Sequence, residues 1–306
     1  MAEIPTGADV AHPETARPLA GVLWMVVTGF CFVALTATVK MLGDAVPAAQ
    51  GAFLRFALVL PFVLPMLPAL RRALPQGRDL RLFVLRAALH TGAVIAWFYA
   101  MARIPIAEVT AMNYLIPVYV TLGAALFLGE RLAVRRIAAV FVALAGALLI
   151  LRPGFRELSN GHLAMLVTSL GLGASYVITK SLSARYSSTV IVALLSIMVT
   201  LGLLPFALTD WVPLSLSQLG GYGLCAFFAT GGHFCMTQAF RAAPVAITQP
   251  VTFLQLAWAS ARGVLVFSEP LDGFVLVGGT VIVAAVSFIA WRESVLKRRR
   301  TEQNHF

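Results

Sequence analysis

Apolar residues run along this chain in stretches of about 20, the length a helix needs to cross a hydrocarbon core roughly 30 Å thick. Pro, Gly and charged residues mark the gaps between stretches. Ten spans are predicted: Leu19–Leu42, Pro47–Leu70, Leu80–Ala102, Pro105–Leu128, Ala133–Leu151, His162–Ser183, Thr189–Leu208, Gln218–Arg241, Pro244–Phe267 and Gly273–Trp291. The connections are short and leave no room for a soluble domain. The expected fold is an all-α integral membrane protein.

The fourth and ninth spans share a pattern. Laid on each other without a gap, Arg103–Leu132 and Ala242–Leu271 match Pro105 to Pro244, Leu115 to Leu254, Glu130 to Glu269 and Leu132 to Leu271. Leucine matches are cheap in so apolar a chain, but a proline at each start and a glutamate at each end are not, and they indicate an internal duplication. Lys180 falls opposite Lys40 in nearly the same register, so the duplication extends over both halves. Ten spans in two copies give five per copy, and an odd number forces the second copy to enter the membrane upside down. The expectation is two inverted five-helix repeats, residues 19–151 and 162–291, with a disordered cytoplasmic tail over 1–18 and a basic cytoplasmic tail over 292–306.

Composition agrees with this picture. The chain is 59% hydrophobic and 12% charged, about half the charged share of soluble proteins. The net charge of +10 would raise nucleic acid as a partner of a soluble protein, but here the positive residues lie in short loops and the tail. With the N-terminus inside, the cytoplasmic side collects 16 of the 23 Lys and Arg, from Arg17 to Arg300, and the opposite side has Lys40, Arg103, Arg152 and Arg156. Positive-inside bias therefore predicts a multi-pass protein of the plasma (inner) membrane with both termini cytoplasmic. Cys31, Cys225 and Cys235 lie inside apolar runs without ligand spacing and read as small buried hydrophobes.

Ten spans in two repeats, each with a Pro-led fourth helix ending in an LGE-like turn (Leu128-Gly129-Glu130, then Phe267-Ser268-Glu269), resemble the EamA-type drug/metabolite transporter (DMT) superfamily. The resemblance covers Leu19 to Trp291. It implies a transporter, and members of that superfamily carry amino acids, nucleotide-like metabolites, vitamins, metallophores and drugs. The second copy departs from the pattern, with Ser268 for glycine and Pro270 after the glutamate.

Charged side chains inside a span cost about 2.5–3.5 kcal/mol each at the helix centre and tend to face protein or water. Arg55 and Arg262 are candidates for gating or structural charge, and Arg86, nearer a helix end, is expected to snorkel. Glu130 and Glu269 sit beside turns, where a carboxylate can accept N–H bonds of the following helix, so both are assigned to helix ends. Glu108, in the first turn of the fourth span, reads as a dipole partner, and lone His90 as a packing histidine. The candidate substrate cavity is uncharged: Trp97, Asn113, Tyr119, Tyr176, His233, Gln238, Gln255 and Trp258. Apolar or aromatic walls with a few amides suit a neutral or zwitterionic small molecule. Tyr119 and Trp258 are repeat partners and candidates for facing walls. Gly171, Gly173, Gly231, Gly232, Gly278 and Gly279 fit close helix approach. Pro61, Pro65, Pro68, Pro117 and Pro250 break the helical ladder, as hinges or static kinks.

No Walker loop, HExxH or GxSxG occurs, and no acid pair converges in the spans. An intramembrane enzyme would need one of these, and a scaffold or receptor would need longer loops. The reading is a secondary transporter, an exporter or exchanger, moving a small organic metabolite by alternating access through a cavity between the repeats. Candidate substrates are amino acids, nucleoside-like metabolites, vitamins or metallophores. No catalytic residue, metal or cofactor is assigned. The partners are the substrate and the bilayer, without nucleic acid, and a homodimer stays open.

Overall fold

The structure is a computed structural model and describes residues 18–43, 45–128, 134–153, 155, 157–243 and 248–303. Every element among these residues is helical: α1 (Pro18–Leu42), α2 (Ala48–Ala57), α3 (Leu60–Val63), α4 (Leu67–Arg72), α5 (Gly77–Arg103), α6 (Ile106–Asn113), α7 (Ile116–Leu128), α8 (Val134–Leu151), α9 (Asn160–Ser183), α10 (Ser188–Thr209), α11 (Leu216–Ala242), α12 (Phe253–Phe267) and α13 (Gly273–Gln303), with short 3₁₀ turns at Leu64–Met66 and Gln249–Thr252. In lipid a backbone must satisfy its own polar groups, which is why an apolar chain of this kind folds as helices. Among the described residues seven helices are long and apolar enough to cross a membrane, and Ile137–Leu151 and Leu254–Phe267 are shorter apolar helices.

The breaks fall at the prolines. Pro61, Pro65 and Pro68 each lie in the first positions of a new turn, so the second span is a staircase of α2, α3, the 3₁₀ turn and α4. Pro117 follows the gap between α6 and α7, and Pro250 lies in the 3₁₀ turn that leads into α12. Helix starts are fixed by serines: Ser159 with His162 and Ser215 with Gln218 form capping boxes, and Ser187 accepts from the Val190 N–H. The last helix runs on through residues 292–303, so most of the basic tail is helical.

Helices pack most closely in the pairs α1 with α11, α5 with α9, and α8 with α13, followed by α7 with α9 and α2 with α10. Glycines set several of these approaches. A Cβ on Gly278 would lie 2.5 Å from the Gly146 carbonyl oxygen, and one on Gly171 would lie 2.9 Å from the Ala93 Cβ. Gly232 meets Phe32 and Gly173 meets Tyr119 in the same way, whereas Gly231 has ordinary clearance. The outside stays greasy: Leu126, Phe127 and Leu265 are each at least 77% exposed. Large apolar side chains left this open belong against lipid tails.

Candidate functional site

Polar side chains gather where α2, α5, α9 and α11 face one another. Arg55 lies on α2, about 10–12 Å along its span at 1.5 Å per residue, with its guanidinium 4.1 Å from the centre of the Phe56 ring. Its neighbour Phe56 meets His90 of α5, and His90 in turn meets Ser175 of α9. Arg86 lies a turn below His90 on α5. His90 Nδ1 lies 3.3 Å from Ser175 Oγ, and its ring stands edge-on to Phe56 at 5.9 Å. His233 stands edge-on to Phe32 of α1 at 5.2 Å.

Tyr176 is 37% exposed although it lies well inside its span. His233 is exposed as well.

Of the eight candidate cavity residues, Tyr176 follows Ser175, which meets His90 of α5, and His233 meets Phe32 of α1. Trp97 is half-buried, edge-on to Phe98 of its own helix. Tyr119 lies against Gly173, at the crossing of α7 and α9. Gln255 and Trp258 both lie against Gly29 of α1, and Trp258 stacks on Phe30 at 4.1 Å. Tyr119 and Trp258 thus stand at separate helix contacts. Asn113 and Gln238 are half-buried, the first at the end of α6. A recess of about 770 Å³ along α5 and α10, with Val84, Thr91, Ile95, Tyr99 and Phe206 in its walls, holds none of the eight candidates. Its walls are mostly apolar, which suits a lipid tail.

The charged residues differ more from expectation. Arg86 does not snorkel: it is 4% exposed, and Nη1 donates to the Ile191 carbonyl at 2.9 Å. Arg262 is exposed on α12. Glu130 lies outside the described residues. Glu269 accepts a backbone N–H bond, but from Ile106 at the start of α6, 3.0 Å away, not from the following helix, whose Phe274 N–H is taken by Asp272. Glu269 also pairs with Lys40 at the end of α1, and the Lys40 ammonium donates to the Ile104 carbonyl at 2.9 Å. Glu108 pairs with His162 of α9 at 2.5 Å, both buried. Arg152 pairs with Asp272, so the end of α8 is tied to the start of α13.

The Glu269, Glu108 and Arg152 contacts lie at one end of the bundle and bind the two halves together there. Sequence reasoning did not single out His162, Asp272 or Gln50, whose side-chain amide brackets the Val212 backbone with bonds of 2.7 and 3.0 Å. A signal was present for His162, a histidine three residues after Ser159 in a capping position, but its second partner lies on another helix.

The EamA-like transporter family matches residues 19–152 and again 159–291. The chain is 31% identical over 290 residues to a riboflavin transporter of Rhizobium johnstonii, covering 94% of this chain and 96% of that protein. It is 27% identical over 267 residues to the pseudopaline exporter of Pseudomonas aeruginosa, covering 87% and 94%. An S-adenosylmethionine uptake transporter of Rickettsia felis is 24% identical over 293 residues, covering 93% and 97%. A crystal structure shares the fold at a TM-score of 0.55 and 16% identity, covering 90% of this chain and 96% of that one. The matches span both halves, and the chain belongs to the EamA-like transporter family: it is a multi-pass membrane transporter of small metabolites, not an enzyme.

Proposed function

We propose that the chain crosses the plasma (inner) membrane ten times, as two inverted five-helix repeats with both termini cytoplasmic, and exports or exchanges a small organic metabolite by alternating access. The spans are α1, α2–α4, α5, α6–α7, α8, α9, α10, α11, α12 with its leading turn, and α13. Span eight, Leu216–Ala242, has 27 residues, about 40 Å of helix, enough to cross despite its glycines and polar residues.

The reciprocal packing of the helices carries this reading. Span one packs on span eight and span three on span six, span four on six and span nine on one, while two with seven and five with ten are self-paired. Exchanging each span for its counterpart five further on maps this set of contacts onto itself, as a two-fold relation between the halves requires. The repeats are residues 19–151 and 162–291, in keeping with the doubled family match. In such a design the substrate sits near mid-membrane between the halves, where Arg55, Tyr176 and His233 come from spans two, six and eight.

The relatives named for riboflavin, pseudopaline and S-adenosylmethionine set the first substrate panel. Purified protein in liposomes loaded with each unlabelled solute should draw in its labelled form by counterflow. If folded protein moves none of them, with or without a pH gradient, transport of these classes is excluded.

A further inference from the structure

We infer that Arg55 and Arg86 form an anion site, at which the transported metabolite docks through a carboxylate or phosphate. The inference rests on the transporter reading above and specifies its substrate class. It departs from the neutral or zwitterionic ligand that the uncharged residues alone suggest.

Charge and hydrogen bonding at the cluster lead there. Among the described residues, Glu108 pairs with His162, Glu269 with Lys40, Asp79 with Arg185 and Asp272 with Arg152. Neither Arg55 nor Arg86 joins an ion pair with any of them. A guanidinium has five N–H donors. Arg86 spends one on the Ile191 carbonyl and its buried Nε has no partner. Arg55 finds no acceptor among the described residues, and its Nε is likewise buried and unmatched.

A structural cation at this depth would be wrapped by helix-end carbonyls. The Arg55 guanidinium instead sits 4.1 Å from the centre of the Phe56 ring, with its Nε buried and unmatched. A planar fork of parallel donors matches carboxylate and phosphate oxygens. Tyr176 of α9, next to the Ser175 that His90 contacts and itself 37% exposed, brings a hydroxyl donor from a third helix. Two cations on spans two and three held near one tyrosine of span six repel one another when the site is empty. An anion relieves that repulsion.

Charged thiol reagents test this without knowing the substrate. In a protein whose three cysteines are replaced by alanine, Tyr176→Cys is exposed to an anionic sulfonatoethyl and a cationic trimethylammonioethyl methanethiosulfonate. Rates are normalised to a cysteine in the C-terminal tail. The anionic reagent should be favoured about tenfold or more, as charge-focusing clefts favour their counter-ions, and Arg55→Gln with Arg86→Gln should abolish the preference. If Tyr176→Cys misfolds or is unreactive, His233→Cys takes its place. Equal rates, or labelling at neither position, overturn the anion site.

Proteoliposomes supply the second arm, with riboflavin 5′-phosphate and citrate against riboflavin and S-adenosylmethionine. Wild type should favour the net-negative solutes, and Arg55→Gln should lower their kcat/KM about 30-fold or more, the scale on which a buried charge pair is lost. Arg55→Lys should recover part of it, with thermal unfolding unchanged. Transport of riboflavin or S-adenosylmethionine alone overturns the anion site and leaves the transporter reading standing. Transport of nothing overturns both.

Discussion

Ser268 occupies the place where the first repeat has Gly129, and it adopts the left-handed backbone that a glycine takes freely, φ 53° and ψ 31°. The Glu269 N–H returns to the Gly263 carbonyl at 3.0 Å, closing a Schellman-type turn at the end of α12. A serine held there costs about 1 kcal/mol. Ser268→Gly should therefore raise thermal stability by about that amount. Gly263 is the opposite case, because its missing Cβ leaves the room into which the Glu269 carboxylate folds. Gly263→Ala should displace the carboxylate and cost about 1–3 kcal/mol, as overpacking does. Thermal unfolding in detergent measures both. Unchanged stability in Gly263→Ala would mean that the Glu269–Lys40 contact does not need this geometry.

Helix elements were legible because a bilayer makes the signal simple. Apolar runs bounded by charge gave spans close to the observed helices, and Pro61, Pro65, Pro68 and Pro117 sat at real breaks because proline removes an N–H from the ladder. The glycines were legible too, apart from Gly231. Side-chain reach across the bundle was not. Glu269 sits beside its own following helix in sequence, and only the fold brings it to Ile106 in the other half. Likewise Arg86 looks free to snorkel until α10 presents the Ile191 carbonyl. One such reach joins the two broken spans: the Tyr114 hydroxyl, at the gap between α6 and α7, donates to the Thr252 carbonyl at 2.8 Å, in the turn that leads into α12. The fourth and ninth spans are thus bonded to each other where each is interrupted. Tyr114→Phe removes that bond and nothing else of size. Stability should fall by about 0.6–1.7 kcal/mol, the range for bonds between membrane helices, and counterflow should slow if the two breaks move as a unit. Unaltered counterflow with the expected stability loss would make the bond purely structural.

At the scale of the whole molecule, the inverted repeats proposed above imply that the latch at one end has a counterpart at the other. Glu269 pairs with Lys40 across α12 and α1, and under the proposed inversion the residues that correspond by sequence are Glu130, outside the described residues, and Lys180. In the proposed orientation the first two lie at the outer face and the second two at the cytoplasmic face. Pairs at opposite ends of a rocking bundle close opposite gates, so each stabilises a different state. A ligand or contact shifts a two-state equilibrium only by its difference between the states, about tenfold per 1.4 kcal/mol. Glu269→Gln keeps an oxygen for the Ile106 N–H but loses the charge facing Lys40, and should populate the outward-open state. Lys180→Gln should populate the inward-open one. Cysteines introduced at positions 176 and 233, labelled from each side of right-side-out vesicles with impermeant maleimide, read the difference: Glu269→Gln should raise labelling from outside by about tenfold and Lys180→Gln should lower it. Changes in the same direction would show that the two pairs brace the protein without gating it. They would also remove the inverted relation from the mechanism, because inversion is what makes equivalent contacts act with opposite sign.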